Sequence, residues 1–172
     1  MKQVLIINGY PTCGKTTFER IMLEYCKGEY FSSITPINEI LLNIGWDGIT
    51  KDTLYRNTAS DLKDLLTKFN DYSYKKVCEK INGFLQNEDK EILMIDIREP
   101  EEIQKIVDTY PEIITVFIQN DKPINKTNHA DMNVVNYIYD YYIDNNSTIN
   151  ELKYNIKVFL NELKLLKELK DL

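Results

Sequence analysis

The sequence predicts an α/β fold built around a parallel β-sheet. Short, continuous apolar runs, such as residues 4–7 and 92–95, suit strands that are covered on both faces. Longer segments whose apolar residues recur at helical spacing lie between these runs. Because the two kinds of segment alternate along 172 residues, we expect right-handed crossovers and a single domain over residues 1–172.

The first part of the chain contains two predicted strands, each followed by a helix. Residues 4–7 form a strand, and residues 16–27 form a helix whose core face is expected to be Phe18, Ile21, Met22 and Tyr25. Residues 30–35 are β-prone. Pro36 then opens a short helix to about residue 43, since proline is favoured in the first helical turn.

Two further helices are predicted before the third strand. After a turn at residues 45–48, Thr50 is expected to cap a helix that ends near residue 70. Its expected core face is apolar, consisting of Leu54, Leu62, Leu65, Leu66 and Phe69. Residues 73–86 form the next helix.

The second half repeats the alternation. Residues 92–96 form a strand, Pro100 and neighbouring acids open a helix, and residues 113–118 form another strand. The segment 120–136 is polar and irregular, and residues 139–143 form the last strand. Thr148 and Glu151 predict a capping box before a final helix. Its apolar face packs on the sheet or offers a partner surface, and comprises Leu152, Ile156, Phe159, Leu160, Leu163 and Leu166.

Composition and charge narrow the class of protein. The chain is 43% hydrophobic and 28% charged, as in ordinary globular proteins, and no apolar run approaches the ~20 residues of a membrane span. Its net charge of −6 argues against polymeric nucleic acid or an anionic membrane as partner. The separated Cys13, Cys26 and Cys78 show no metal-ligand spacing, which predicts reduced thiols and a cytoplasmic location.

Residues 9–16 match the pattern G-x-x-x-x-G-K-[ST] of a phosphate-binding loop, or P-loop. The strand before it and the helix after it provide the context that this motif requires, which argues against a chance match in a turn. Lys15 would reach the β- and γ-phosphates of a nucleotide, and the Thr16 hydroxyl would bind Mg²⁺. The predicted ATP-binding residues are Gly9, Pro11, Thr12, Cys13, Gly14, Lys15, Thr16 and Thr17. Cys13 either fills the loop as a small residue or is open to oxidation.

Asp96 and Arg98 follow a buried strand at the edge where α/β proteins bind ligands. Asp96 is the candidate Walker B carboxylate, so the predicted metal ligands are Thr16 and Asp96. The alternative interpretation is that Asp96 caps the end of the strand or belongs to a turn. Arg98 suits a phosphate, because guanidinium makes two parallel bonds to an oxyanion, or it pairs with Glu101 or Glu102. The predicted catalytic residues are Lys15, Asp96 and Arg98.

Arginine is rare in this chain, at three residues against 18 lysines. Arg56 shares a polar stripe with Ser60 and Lys63 on the long predicted helix. Such a stripe is either a solvated face or the wall of a cleft that holds an acceptor phosphate. The predicted acceptor-binding residues are therefore Arg56, Lys63 and Arg98.

The polar segment around residues 119–136 is a candidate lid, since a closing lid would exclude water from a phosphoryl transfer. Lys122 and Lys126 could supply positive charge to the transferred group. His129, the single histidine, is interpreted as a structural hydrogen-bonding residue rather than a catalytic base.

These motifs together resemble the P-loop nucleoside and deoxynucleoside monophosphate kinase superfamily, which includes adenylate kinase and small bacterial and phage kinases. The resemblance is carried by residues 9–16, 96–100 and 128–140, supported by residues 45–63. It implies a three-layer αβα sandwich with five parallel strands in the order 2-3-1-4-5. It also implies a helical acceptor-binding insert at about residues 36–86, and ATP with Mg²⁺ as cofactors. The candidate lid carries lysines where the superfamily usually has arginines.

The expected activity is transfer of the γ-phosphoryl group of ATP to a small phosphorylated acceptor, with a (deoxy)nucleoside monophosphate as leading candidate. A kinase of another small metabolite and a nucleotide-binding regulatory protein with little transfer activity are the alternatives. A signalling GTPase is disfavoured, because the segment Asn120-Asp121-Lys122 does not match the guanine motif N-K-x-D. The protein is expected to be a monomer or a homodimer.

Overall fold

The computed structural model describes residues 2–121 and 133–170, with side chains described up to residue 164. Its centre is a five-stranded parallel sheet with the strand order β2-β3-β1-β4-β5. The strands are β1 (Gln3–Asn8), β2 (Gly28–Ser32), β3 (Ile92–Asp96), β4 (Ile114–Gln119) and β5 (Tyr141–Asp144). The predicted fold class and strand order are confirmed.

Among the described residues, helices follow β1, β2, β3 and β5 along the chain. They are α1 (Lys15–Tyr25), α2 (Thr35–Asn43), α3 (Thr53–Asn70), α4 (Tyr72–Gln86), α5 (Pro100–Thr109) and α6 (Ile149–Lys170). Pro36 lies in the first turn of α2 and Pro100 opens α5, as predicted. The capping box is also present, because Glu151 N donates to Thr148 Oγ1 at 3.3 Å and Thr148 N donates to the Glu151 carboxylate at 3.2 Å.

Alternating strand residues divide the core into two layers. Leu5 and Ile7 of β1 lie in one cluster with the apolar faces of α1 and α6. Val4 and Ile6 lie in the other cluster with α4 and α5. This division follows from the two-residue period of a strand. The five predicted core residues of α6 up to Leu163 pack on the sheet, and the Leu166 side chain lies outside the described residues.

The helices between β2 and β3 divide into two groups. In α2 and α3, Ile37, Leu41 and Ala59 form a small cluster of their own, against which Leu62 and Leu66 pack. In α4, by contrast, Val77, Ile81 and Phe84 belong to the core on one face of the sheet. The segment predicted as the insert therefore contains a helix pair that stands beside the sheet and one helix that covers it.

Several predicted details are wrong. Leu54, Leu65 and Phe69 of α3 are 74%, 63% and 79% exposed, because the row containing Ala59, Leu62 and Leu66 packs on α2 instead. Tyr25, at the end of α1, is 41% exposed.

The cap of α3 also differs from the prediction. Asp52, not Thr50, caps α3, and its carboxylate accepts a hydrogen bond from Tyr55 N at 2.8 Å. The Thr50 hydroxyl donates instead to Asp47, as part of the turn before the helix.

Two strand positions are shifted from the prediction. β2 begins at Gly28, earlier than predicted, and Thr35 already belongs to α2. At Gly28 an added Cβ would lie 2.6 Å from the Ile92 carbonyl oxygen. β5 begins at Tyr141, and the Asp140 carboxylate just before it accepts hydrogen bonds from Thr115 N and Oγ1, both at 2.8 Å.

The parallel register brings several loops to one edge of the sheet. Ile7 of β1 lies opposite Asp96 of β3, and Asn8 lies opposite Phe117 of β4. The carboxyl ends of three adjacent strands therefore meet beside the P-loop, which is where open α/β sheets bind ligands. Among the helices described, none is long and apolar enough to cross a membrane.

Candidate functional site

The P-loop folds around the Lys15 side chain. Three of its residues have positive φ: Gly9 at 149°, Thr12 at 63° and Gly14 at 99°. Gly14 is the N-cap of α1, so the loop leads into the helix N-terminus. Lys15 Nζ donates to the carbonyl oxygens of Gly9 at 2.7 Å and Tyr10 at 3.1 Å. A cation and a helix N-terminus are thus held together, as phosphate binding requires.

Two asparagines that the sequence interpretation missed support this loop. The Asn8 amide donates to the Tyr139 hydroxyl at 2.7 Å and to the Arg98 carbonyl at 3.2 Å, and its oxygen accepts from Gly9 N at 2.8 Å. The Asn145 amide donates to the Cys13 carbonyl at 2.8 Å. A polar residue at the end of an apolar strand is a signal for Asn8. Asn145 has no such local signal, because it reaches the loop from after β5.

A cavity of about 580 Å³ opens next to the P-loop. One wall is formed by P-loop and α1 residues, namely Pro11, Thr12, Gly14, Lys15 and Thr16. Arg56 and Lys63 of α3 also line this cavity, together with Asp96 at the end of β3 and Arg98 in the loop that follows. Of the remaining predicted ATP-binding residues, Gly9 and Cys13 are buried and Thr17 is half-buried.

The basic residues on the cavity wall differ in their surroundings. Lys63 Nζ forms an ion pair with Glu102 at 2.5 Å and donates to Ser33 Oγ at 3.1 Å, so Glu102 compensates part of its charge. Arg56 is exposed and its Nε donates to the Lys51 carbonyl at 3.1 Å. The structure thus brings Arg56, Lys63 and Arg98 to the same cavity as the P-loop.

Asp96 and Glu19 place two carboxylates in this cavity. Glu19 is only 5% exposed, and the sequence interpretation overlooked it. Burial, followed by the nearby charge of Asp96, raises the pKa of the Glu19 carboxyl to about 8 against the smaller opposing effect of Lys15. Its position three residues after Thr16 places both side chains on one face of α1, but this spacing does not predict the burial of Glu19.

The site chemistry fits a Mg²⁺ ion. Asp96 Oδ1 is buried and has no hydrogen-bond partner among residues 2–121 and 133–170. Thr16, the last residue of the P-loop, lines the same cavity as Asp96. Mg²⁺ takes oxygen ligands and usually keeps one or two carboxylates together with phosphate and water. Thr16 and Asp96 would hold the ion, which neutralises phosphate charge when bound.

The candidate lid falls largely outside the described part of the chain. Lys122, Lys126 and His129 all lie outside the described residues. At the borders of this segment, Asn120 Nδ2 approaches the Thr12 carbonyl at 3.5 Å, and Asp121 N donates to Asn146 at 2.6 Å. The chain therefore enters the segment beside the P-loop.

Cys13 is expected to react more slowly with thiol reagents than Cys26 or Cys78. Cys13 is 1% exposed and burial raises its pKa, whereas the other two cysteines are half-buried. Reactivity requires an accessible thiolate. Timed alkylation with iodoacetamide, followed by peptide mass spectrometry, should show Cys13 labelled last. Equal rates for all three cysteines in the folded protein would contradict the burial of Cys13 and favour an oxidisable thiol.

No protein-family model and no curated protein sequence matches the chain. Solved structures do match over almost the whole length. A gluconokinase from Sinorhizobium meliloti 1021 has a TM-score of 0.57 at 10% identity, covering 98% of this chain and 97% of its own. A sugar kinase from Janibacter sp. HTCC2649 has a TM-score of 0.55 at 9% identity, covering 94% and 95%. A shikimate kinase from Aquifex aeolicus has a TM-score of 0.50 at 10% identity, covering 95% and 99%.

These matches have little sequence identity, so they establish the fold. They share the parallel sheet and its strand order with this chain. The chain therefore has the fold of the P-loop kinases, as the resemblance in its sequence predicts.

Proposed function

We propose that the protein transfers the γ-phosphoryl group of ATP, with Mg²⁺, to a small anionic acceptor bound in the cavity beside the P-loop. One observation carries this proposal: Arg56, Lys63 and Arg98 line the same cavity as Lys15 and Thr16. Donor and acceptor phosphates could therefore be held in one cavity. Transfer between them depends mainly on positioning and charge neutralisation, which this arrangement can supply.

The leading acceptor is a (deoxy)nucleoside monophosphate. Two arginines on the acceptor side suit a phosphate, since each guanidinium can make a bidentate contact. Tyr55 also lines the cavity and stacks on Trp46 with ring centroids 4.4 Å apart. Its fixed ring offers an apolar surface next to the basic residues, as a nucleoside would need.

A second candidate acceptor is a sugar or a hydroxy acid. Similar structures support this candidate, since they include a gluconokinase, a sugar kinase and a shikimate kinase. A carboxylate could occupy the same basic wall as a phosphate. A nucleotide-binding protein with little transfer activity is the remaining alternative.

A coupled assay of ADP release separates these functions. The panel would contain nucleoside and deoxynucleoside monophosphates, gluconate, shikimate and simple sugars, each with MgATP. Turnover stimulated by a monophosphate would support the leading acceptor, and turnover with a sugar or hydroxy acid would support the second candidate. Binding of MgATP without acceptor-stimulated turnover would overturn the kinase proposal and favour the regulatory alternative.

Replacing Arg98 with lysine is expected to raise the KM for the acceptor by roughly tenfold with little change in the KM for ATP, because lysine loses the bidentate contact. Steady-state kinetics with the acceptor that the panel assay identifies would measure both KM values. Arg20→Lys is the matched control, since Arg20 is exposed on α1, away from the cavity wall. An equal rise in both KM values would argue that Arg98 does not contact the acceptor specifically.

A further inference from the structure

We propose that Glu19 is an additional ligand-bearing residue of the cation site, acting with Thr16 and Asp96. This inference rests on the proposed function, because that function places MgATP at the P-loop. It assigns a role to the buried carboxylate on the wall of the cavity.

The positions of the three residues follow from the fold. Thr16 and Glu19 are separated by three residues on α1, so their side chains lie one turn apart on the same helix face. Asp96 ends β3, which is the neighbour of β1, the strand that leads into the P-loop. All three residues line one cavity.

The two carboxylates lie close enough to influence each other. Burial, and after it the nearby charge of Asp96, raises the pKa of the Glu19 carboxyl. The Tyr30 phenol stands near both, since its pKa is raised first by partial burial and then by the charges of Asp96 and Glu19. Tyr30 also lines the cavity. The acids thus form a pair that faces a common space.

Each carboxylate has one buried oxygen that needs a partner. Glu19 Oε1 and Asp96 Oδ1 are both buried and make no hydrogen bond within the described part of the chain. Buried polar atoms in proteins are nearly always paired, so an unpaired one points to an ion or water as its partner. Two such oxygens next to a P-loop are most simply paired by one cation.

The ammonium group of the nearby Lys15 makes hydrogen bonds to the P-loop backbone. Lys15 lowers the pKa of Glu19, but burial and Asp96 have larger effects in the other direction. Lys15 Nζ donates to the carbonyl oxygens of Gly9 and Tyr10. In the proposed function this ammonium binds the phosphates, so a divalent cation is the group left to pair with the buried oxygens of Glu19 and Asp96.

The donor set also predicts how the cation binds. Among residues 2–121 and 133–170, no cluster of three or more His, Cys, Asp and Glu side chains could hold a metal on its own. Two carboxylates and a hydroxyl leave positions for phosphate oxygens and water, which is how Mg²⁺ is usually bound. Cation affinity should therefore be higher with ADP present than without it.

The test measures Mn²⁺ binding by electron paramagnetic resonance, with ADP and without turnover. Glu19→Gln keeps the side-chain volume and removes the charge. It should weaken Mn²⁺ binding by roughly ten- to a hundredfold, the range seen when groups that support a metal are altered. ADP binding without metal should be unchanged. Glu39→Gln is the matched control, because Glu39 is exposed on α2 and is expected to leave Mn²⁺ affinity at the wild-type value.

The outcomes distinguish the two proposals. If wild-type protein shows no Mn²⁺ binding with ADP, the proposed function fails together with the site. If wild-type protein binds Mn²⁺ and Glu19→Gln binds it equally well, only the role of Glu19 is overturned. If Glu19→Gln does not fold, carboxyl NMR of the wild type decides the question: Mn²⁺ with ADP should broaden the Glu19 signal strongly, and an unbroadened signal would contradict the proposal.

Discussion

Replacing Lys15 with alanine is expected to lower the rate of phosphoryl transfer by about 10²- to 10³-fold, the usual cost of removing one group that stabilises developing charge. Lys15 is the cation at the centre of the P-loop and lines the cavity. Because an ammonium would contact the β- and γ-phosphates most strongly as charge moves between them, the loss should appear in kcat as well as in kcat/KM. Steady-state ADP release with the acceptor found in the panel measures both.

Two controls accompany this variant. Lys75→Ala removes an exposed lysine of α4 and should leave kcat unchanged. Thermal unfolding of Lys15→Ala tests whether the loop itself survives, since Lys15 also donates to two loop carbonyls. Transfer activity within threefold of wild type would argue that the cavity does not carry out P-loop chemistry.

The strands of the sheet can be predicted well where their signals are local. The predicted bounds of β3 agree with the structure, since a run of four apolar residues that ends in Asp96 is typical of a buried strand reaching the edge of a sheet. The start of β2 is harder to predict from the sequence. Its start depends on a close approach of Gly28 to the Ile92 carbonyl, which is a contact across the sheet.

The orientation of α3 cannot be derived from periodicity. The helix has two apolar rows, one with Leu54 and Leu65 and one with Leu62 and Leu66, and both satisfy helical spacing. Which row is buried depends on where α2 lies, and α2 packs against the second row. The first row is exposed because no described element covers it.

The residues of the site also differ in this respect, because some have a local sequence signal and others depend on contacts made by the fold. The P-loop motif predicts Lys15 and Thr16 because their spacing is fixed by the chemistry of phosphate binding. Glu19 is missed because a glutamate on a helix is usually a solvated residue, and only the fold reveals that this one is buried. Lys63 is predicted as an acceptor contact, whereas its pairing with Glu102 depends on how α3 meets α5.

Replacing Gly9 with alanine is expected to destabilise the protein by about 2–4 kcal/mol, combining backbone strain with overpacking. Gly9 has φ of 149°, and an added Cβ would lie 2.4 Å from the Ile118 carbonyl oxygen and 2.6 Å from Cys13 Sγ. The first of these atoms is backbone in the neighbouring strand β4, so it cannot move aside as a flexible side chain could. Urea unfolding followed by circular dichroism would measure the loss.

The same substitution at Gly83 should have the opposite sign. Gly83 lies in α4 with no atom within 4 Å of an added Cβ, so alanine should stabilise the helix by roughly 0.5–1 kcal/mol. The pair therefore separates the general effect of losing a glycine from the specific packing of the P-loop. If both variants gained stability, Gly9 would not be held against β4, and the loop would lack the rigid support that phosphate binding at this edge of the sheet requires.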